Sequence, residues 1–309
     1  MGGTSRLRHS PGRRILFRLQ SRRPVDASFW ARRKEEVNLA FATDLHLERV
    51  TEYRRRAFYR SLSDSDFDAL VITGDISVAR WLPIHLRCIA EACQPRPVYF
   101  VLGNHDFYGS SFEAVDRAVA DVCAQHSNLH HLGGGEIVPL TADSALIGHR
   151  GWADARAGFG IETFVRSPDR HHIRDFQGQS HSGVLQKMES LGKASGRYFQ
   201  AILPKALSQY RQVWIATHVP PFYQAAFFNG RTCAWSKQPH FMNSSAGGVI
   251  LKLAKCYPSK NVMVMSGHTH SPLAVKVANN VEIRVGRSSP RHPMLSSAFS
   301  ISGPLNRRI

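Results

Sequence analysis

The sequence predicts an α/β fold in which parallel strands alternate with helices. Three observations support this class: the composition, five strand-like runs and the helix-like segments between them. With 309 residues and 43% hydrophobic side chains, the chain can bury a substantial core. The runs are short and rich in β-branched and aromatic residues, as in buried parallel strands, and they cover residues 37–43, 69–73, 98–102, 213–217 and 262–266.

A helix is predicted after each of the first three runs. Residues 51–62 form a polar, arginine-studded candidate, and Pro83 suits the first turn of a helix at 82–93. A third helix is expected to run to Ala124 from a serine cap at 110 or 111. Three strand–helix units in succession favour a parallel sheet with right-handed crossovers.

The middle of the chain predicts a hairpin and a long loop. Three glycines at 133–135 precede two short strand candidates, 136–140 and 144–148. Residues 151–183 show little periodicity. A loop of this length in a compact domain usually serves as a lid or a binding surface.

The last part of the chain predicts a second strand–helix region. Residues 184–207 are helix-like, although two glycines and a proline can divide them. A further helix is predicted at 246–256, and the runs at 273–277 and 281–285 resemble closing strands. No periodicity follows Arg287.

The net charge of +17 is concentrated at the ends of the chain. Residues 1–36 hold ten Lys and Arg side chains against three acids, and five arginines follow Glu282 with no further acid. The segment between these ends is therefore only weakly basic. We predict one domain over 37–286, flanked by a basic, disordered extension at 1–36 and an irregular tail at 287–309.

Composition also bears on location and partners. No apolar run reaches the roughly 18 residues of a membrane span, so no integral membrane association is expected. Five cysteines without a C-x-x-C pair favour neither a disulfide framework nor a thiolate zinc site. A cytoplasmic location is the simplest prediction. The Arg-rich, acid-poor N-terminus, which lacks the apolar core of a secretory signal, makes an organellar transit peptide the alternative.

Residues of metal-binding types follow all five strand-like runs. In an open α/β sheet, ligands bind at the carboxyl ends of the strands, so residues distant in sequence can meet there. A Gly-Asp pair or a lone histidine in such a position is usually a turn or loop residue, but the ordered combination is specific. The candidate ligands are Asp44, His46, Asp75, Asn104, His218, His268 and His270.

These residue types indicate a two-metal hydrolytic site. Carboxylate, imidazole and amide donors together suit manganese, iron, zinc or a similar divalent ion better than calcium, which prefers oxygen alone. Two such ions about 3.5–4 Å apart can clamp a phosphate when a carboxylate bridges them. Asp75 is the candidate bridge.

In these five segments and their order, the chain resembles the calcineurin-like metallophosphoesterase superfamily. That family's pattern is D-x-H, G-D, G-N-H-[D/E], H and G-H-x-H, and the resemblance covers residues 37–285. It implies a four-layer α/β/β/α sandwich with two mixed sheets and a dimetal centre at the strand ends. It also implies two ligand triads that share one bridging residue. One triad is Asp44, His46 and His270, and the other is Asn104, His218 and His268. The bridge is Asp75.

The resemblance also implies catalytic roles. A metal-bridging hydroxide would attack phosphorus in line, and His105 would stabilise the phosphate and protonate the leaving oxygen. Asp106 either orients His105 or is a turn residue. Residues 74–79 read G-D-I-S-V-A, which departs from the G-D-x-x-D-R of the Ser/Thr protein phosphatase branch. The expected substrate is therefore a small phosphodiester or phosphomonoester, such as a nucleotide.

Two other functions stay open at this point. The basic charge is compatible with a nuclease acting on DNA or RNA, although its position at the chain ends does not favour nucleic acid as the partner. A catalytically impaired binding or scaffold protein with the same fold is the third hypothesis, and the intact ligand set opposes it. The oligomeric state cannot be predicted from the sequence.

Overall fold

The computed structural model describes residues 36–228, 231–289 and 291–303 of the chain. Apart from Glu36, the predicted N-terminal extension lies outside the described residues. The described residues form two mixed β-sheets, a short hairpin and helices on the outer face of each sheet.

The first sheet joins four strands from the N-terminal half to one strand near the C-terminus. Its strands are β1 (Glu36–Ala42), β2 (Ala69–Thr73), β3 (Val98–Val101), β4 (Leu129–His131) and β13 (Ser297–Ser302). In the order β13-β1-β2-β3-β4, strands β1 to β4 are parallel and β13 is antiparallel to β1. The three predicted strands in this sheet are confirmed to within one residue at either end.

The second sheet has a parallel centre and antiparallel edges. Its strands are β5 (Val138–Pro139), β6 (Ser144–Gly148), β7 (Gln212–Ala216), β10 (Asn261–Ser266), β11 (Leu273–Ala278) and β12 (Val281–Val285). They lie in the order β11-β12-β10-β7-β6-β5. The predicted hairpin is the β5–β6 pair, and the predicted closing strands are β11 and β12. A separate hairpin contains β8 (Phe227–Phe228) and β9 (Arg231–Thr232).

Five helices of the described residues follow the predicted order, and a sixth, Asp169–His172, falls in the segment predicted as a loop. They are α1 (Glu52–Asp64), α2 (Leu82–Cys93), α3 (Phe112–Gln125), α4 (Asp169–His172), α5 (His181–Gln209) and α6 (Ser244–Cys256). Ser111 caps α3 as expected, because its hydroxyl accepts the backbone N–H of Ala114.

Three layers of buried apolar side chains confirm the α/β/β/α sandwich. One layer joins α1, α2 and α3 to the first sheet, and another joins α5 and α6 to the second sheet. The layer between the sheets contains Phe41 and Val101 from the first sheet and Trp214 and Met265 from the second. The sheets therefore pack face to face, and the carboxyl ends of both sets of parallel strands reach one region.

Helix α5 remains one helix despite the residues that were expected to divide it. A Cβ atom on Gly192 would lie 2.2 Å from Cβ of Asp154, and one on Gly196 would lie 3.2 Å from the backbone oxygen of Ser245. These glycines permit close packing of the helix against its neighbours. Pro204 lies inside α5, and the helix continues through it to Gln209.

The C-terminus differs from the prediction of an irregular tail. Residues Ser297–Ser302 form β13, whose register with β1 runs from Ser302 opposite Glu36 to Ser297 opposite Phe41. This strand has no apolar pattern by which the sequence would predict it, because it is rich in serine and only Ile301 in it is fully buried. Backbone hydrogen bonds to β1, more than an apolar pattern, define it.

The long loop is confirmed as mostly irregular. Residues 151–183 contain the single-turn helix α4, two three-residue 3₁₀ turns, Gly160–Glu162 and Arg174–Phe176, and the start of α5 at His181. Buried aromatic residues anchor the loop, since Trp152 and Phe176 pack with Phe107 and Phe112 next to the first sheet.

Candidate metal centre

The predicted ligands lie on sharp turns that follow the strands. Among the described residues, seven non-glycine residues have positive φ, a conformation that costs about 1–3 kcal/mol each. Five of the seven are predicted ligands: Asp44, His46, Asp75, His268 and His270. Backbone strain of this kind is usually retained where function requires it.

Two motif glycines let these turns approach one another. A Cβ on Gly103 would lie 2.2 Å from Oδ1 of Asp75 and 2.7 Å from Cε1 of His218. A Cβ on Gly267 would lie 1.9 Å from Oγ1 of Thr43. Neither position has room for a side chain, which explains why glycine precedes the asparagine and histidine ligands in these motifs.

The first predicted triad and the predicted bridge form one group of donor atoms. Nε2 of His270 lies 3.2 Å from Oδ1 of Asp44 and 3.3 Å from Nε2 of His46. Nε2 of His46 lies 3.7 Å from Oδ2 of Asp75. One ligand atom from each of these four residues lies within 4.8 Å of all the others, so the group could hold a metal ion.

The second predicted triad forms an adjacent group on the other side of Asp75. Oδ1 of Asn104 lies 3.2 Å from Nε2 of His218 and 3.1 Å from Nδ1 of His268. The two imidazole nitrogens are 3.3 Å apart, and Nε2 of His218 lies 3.4 Å from Oδ1 of Asp75. Each Asp75 oxygen thus faces a different triad, as a bridging carboxylate requires.

Hydrogen bonds on the outer side of the second triad fix which atoms face inward. Nδ1 of His218 donates to the Thr73 carbonyl at 2.7 Å, and Nε2 of His268 donates to the His240 carbonyl at 2.9 Å. A carbonyl only accepts, so each neutral ring turns an unprotonated nitrogen toward the other. Nδ2 of Asn104 donates to Oδ1 of Asp169 at 2.9 Å, which directs the amide oxygen inward as well. Three acceptor atoms without a hydrogen between them fit a cation.

The electrostatics of the centre agree with this fit. Burial lowers the pKa of His46 to about 3 and that of His268 to about 4, so both rings are neutral ligands at pH 7. Burial and the nearby Asp44 charge raise the pKa of Asp75 well above its usual range. A buried carboxyl beside another carboxylate needs a cation to keep its charge.

His105 lies at the edge of the centre, beside an arginine that was not predicted. Nη2 of Arg49 donates to Nδ1 of His105 at 3.3 Å, and its Nε donates to Oε1 of Glu48 at 3.1 Å. His46, Glu48 and His105 also lie close enough to hold a metal, but the Arg49 guanidinium already supplies a cation to two of them. Burial, followed by repulsion from His46 and Arg49, lowers the pKa of His105 to about 2.

Of the two roles predicted for Asp106, its contacts fit the turn residue and not the partner that orients His105. Its oxygens accept the backbone N–H groups of Asp75, Ile76, Ser77 and Gly103 at 2.7–3.0 Å. Within the described part of the chain, no hydrogen bond joins Asp106 to the His105 ring. Burial and the neighbouring Asp75 raise the Asp106 pKa, and the N–H groups oppose that shift. Asp106 holds the Gly74–Asp75 turn against the Gly103 turn.

Replacing Asp106 by alanine is therefore expected to destabilise the metal-free protein by about 3 kcal/mol, because four buried N–H groups lose their acceptor. Urea unfolding of the metal-free chain measures this change. The exposed Asp121 on α3 provides the control, and Asp121→Ala is expected to change the unfolding free energy by less than about 0.5 kcal/mol. An orienting role would instead leave stability unchanged and shift the pH profile of activity.

Several charged residues of the 151–183 loop and its surroundings lie outside the centre. Asp154 accepts the backbone N–H and the hydroxyl of Ser245 in the first turn of α6, so it is structural. Arg174 and Arg231 have exposed side chains, and Arg49 is the arginine that contacts His105. Arg49 stands three residues after His46, and its nearness to that motif was the available signal.

Comparison with known proteins identifies the family. A family model described as calcineurin-like phosphoesterase matches residues 37–272. The chain belongs to the calcineurin-like phosphoesterase family. This member is a metal-dependent phosphoesterase, and its family uses two divalent ions, which the Asp and His cluster could bind. The mixture of donors does not determine which metal it takes.

Solved structures share the fold at low identity. A phosphopantetheinyl hydrolase from Mycobacterium tuberculosis aligns with a TM-score of 0.56 and 12% identity over 83% of this chain and 91% of the other. Protein TT1561 of Thermus thermophilus aligns with a TM-score of 0.52 and 12% identity over 86% of this chain and 98% of the other. A dimetal phosphatase from Danio rerio aligns with a TM-score of 0.51 and 12% identity over 87% of this chain and 99% of the other. No curated protein matches the sequence.

Within the described residues, no helix has the length and apolarity needed to cross a membrane.

Proposed function

We propose that this phosphoesterase hydrolyses small phosphodiesters, with phosphomonoesters as the alternative, at a centre held by the two triads and Asp75. The observation that carries this proposal is the pair of adjacent donor groups, each facing one oxygen of a single buried carboxylate. Two divalent ions bound there would activate water and withdraw charge from the phosphate. Solved structures of the same fold include a hydrolase and a dimetal phosphatase.

His105 is proposed to assist the leaving group. Because Arg49 donates to Nδ1, the proton of the neutral ring lies on Nε2. The low pKa keeps the free ring neutral, and the negative charge of a bound phosphate favours its protonated form. The ring can then donate a hydrogen bond and a proton to the departing alkoxide.

Arg49 is proposed to bind the phosphate itself. Its side chain is about half exposed, so the guanidinium can turn from Nδ1 of His105 to an incoming phosphate, which frees Nδ1 to take the proton of the imidazolium form. A planar guanidinium matches a phosphate with two parallel hydrogen bonds. On the other side of the centre, the Phe241 ring lies 5.2 Å from the His268 ring and offers an apolar wall to the organic group of the ester.

The nuclease remains a second candidate because of the overall charge of +17. Most of the excess precedes β1 or follows Glu282, and salt-dependent DNA binding can arise from such an arm alone. A chain that lacks residues 1–35 distinguishes the two hypotheses. Cleavage of DNA or RNA by that shortened chain, with binding that weakens as salt rises, favours the nuclease. The cytoplasmic location, like the organellar alternative, stays a prediction.

The test combines metal analysis with two model substrates. The chelated protein is reloaded with Mn²⁺, Fe²⁺ or Zn²⁺, and hydrolysis of bis(p-nitrophenyl) phosphate and p-nitrophenyl phosphate is measured. We expect two ions per chain, loss of activity on chelation, recovery on reloading and a higher kcat/KM for the diester. Hydrolysis that persists after complete metal removal contradicts the proposal, as does inactivity toward both esters with two ions bound.

A further inference from the structure

We infer that residues 165–169 of the long loop orient two ligands of the same metal, Asn104 and His268, and thereby set the affinity of that site separately from the other. This inference rests on the proposed dimetal centre. It gives the 151–183 loop a positioning role in addition to any contact with substrate.

The first contact runs through Asp169. Its buried Oδ1 accepts Nδ2 of Asn104 at 2.9 Å and the Tyr108 hydroxyl at 2.7 Å. An amide side chain can present oxygen or nitrogen with almost the same shape, and only oxygen binds a cation. The carboxylate of Asp169 can accept but not donate when ionised, so it selects the orientation with the Asn104 oxygen inward. Tyr108 holds Asp169 in place.

The second contact runs through His240. Nε2 of His240 donates to the Val165 carbonyl at 2.9 Å, and the His240 carbonyl accepts Nε2 of His268 at 2.9 Å. The loop backbone thus fixes His240, and His240 fixes which nitrogen of His268 faces the metal. Val165 and Asp169 lie four residues apart, so one short segment supports two ligands of one triad.

The other triad does not use this segment. Asp44 accepts the Thr43 hydroxyl at 2.8 Å and the backbone N–H of His268 at 3.0 Å, and His46 lies 3.8 Å from Glu48. Within residues 36–228, 231–289 and 291–303, no hydrogen bond or ion pair joins residues 165–169 to Asp44, His46 or His270. Residues 165–169 therefore contact ligands of the Asn104 triad, directly at Asp169 and through His240 at Val165, and make no such contact with the Asp44 triad.

The expected size of the effect follows from other metal sites. Loss of a partner that orients a ligand typically lowers metal affinity by about 10- to 100-fold. Asp169→Ala removes the acceptor and frees the Asn104 amide to rotate. Asp169→Asn keeps an acceptor oxygen if its own amide turns toward Asn104, so we expect an intermediate loss of affinity. Tyr108→Phe removes the hydroxyl that supports Asp169 and that also accepts Nδ2 of Asn104 at the longer distance of 3.4 Å. It is expected to have the smallest effect, because Asp169 keeps its shorter bond to Asn104.

The experiment is a Mn²⁺ titration of the full chain after chelation, by calorimetry and by the electron paramagnetic resonance signal of the coupled ion pair. We expect two binding events in the unmodified chain. In Asp169→Ala, one event weakens by about 10- to 100-fold, the other changes by less than threefold, and the coupled signal decreases. A His270→Ala background, which damages the other site, assigns the weakened event to the Asn104 triad.

Asp175→Asn is the matched control. Asp175 lies in the same loop, accepts the Phe112 backbone N–H and pairs with Lys187, so its replacement should leave both events unchanged. Circular dichroism and thermal melting check that each variant folds. Two unchanged events in folded Asp169→Ala and Asp169→Asn overturn the inference, and so does equal weakening of both events. Binding of fewer than two ions by the unmodified chain contradicts the dimetal proposal instead.

Discussion

Asp75→Asn is expected to lower kcat/KM for a phosphate diester by about 10³-fold or more, since several kcal/mol of transition-state stabilisation depend on the paired metals. Oδ1 of Asp75 already accepts the His105 backbone N–H at 2.9 Å. An asparagine would keep its oxygen in that position and turn its NH₂ group toward His46. The metal proposed to bind at Asp44, His46 and His270 should therefore be lost preferentially.

The same substitution separates catalysis from folding. The buried Asp75 carboxyl has a raised pKa, so the folded state binds more protons than the unfolded state above the unfolded pKa, and its contribution to stability falls as pH rises. A neutral isostere removes this penalty. We expect the metal-free Asp75→Asn chain to melt at the same or a higher temperature than the unmodified chain at pH 7.

Metal content and steady-state kinetics, measured side by side, check the prediction. Asp116→Asn is the control, because Asp116 pairs with Arg150 at a partly exposed position and should change neither quantity. Full metal loading with undiminished activity in Asp75→Asn would contradict the proposal that Asp75 bridges the two metals.

His105→Ala is expected to have the second largest effect, a fall in kcat of about 10²- to 10⁴-fold on esters of alkyl alcohols. The reason is that an alkoxide needs a proton as it departs. A p-nitrophenolate leaving group is stable without one, so the loss with bis(p-nitrophenyl) phosphate should be much smaller. The measurement is kcat for a series of diesters whose leaving groups have increasing pKa. We expect log kcat to fall more steeply with leaving-group pKa in the variant than in the unmodified chain.

Two comparisons make the His105 result specific. His171→Ala changes an exposed histidine of the long loop, and it should reproduce the unmodified dependence on the leaving group. Metal content must also stay at its normal value in His105→Ala. An equal loss for all leaving groups would point to phosphate binding alone and contradict proton donation.

The central parallel strands could be predicted because most of their residues are buried on both faces, so that they carry continuous apolar runs. Strands β2 and β7 are examples, and every β2 residue is buried. Strand β13 could not be predicted, since it lies at the edge of its sheet and most of its serines are exposed. Helix α5 was expected to break at its glycines because sequence alone does not show how closely a neighbouring segment approaches.

The centre was predictable where residue type and strand end coincide, as for Asp44 and Asn104. The hydrogen-bond partners of the predicted ligands Asn104 and His268 were not predictable. Asp169 lies 65 residues after Asn104 in a segment without periodicity, and a backbone carbonyl such as that of His240 has no signature in a sequence. Asp106 shows the converse, because adjacency to His105 in the chain does not determine the direction of a side chain.

The pairing of β13 with β1 has a practical consequence for any shortened version of this protein. The family match ends at residue 272, yet the first sheet is completed by Ser297–Ser302. A chain cut at the end of the match would leave the N–H and C=O groups along one side of β1 without partners. Exposed edges of this kind recruit other chains. Such a fragment should aggregate during expression, even though it retains all seven predicted metal ligands.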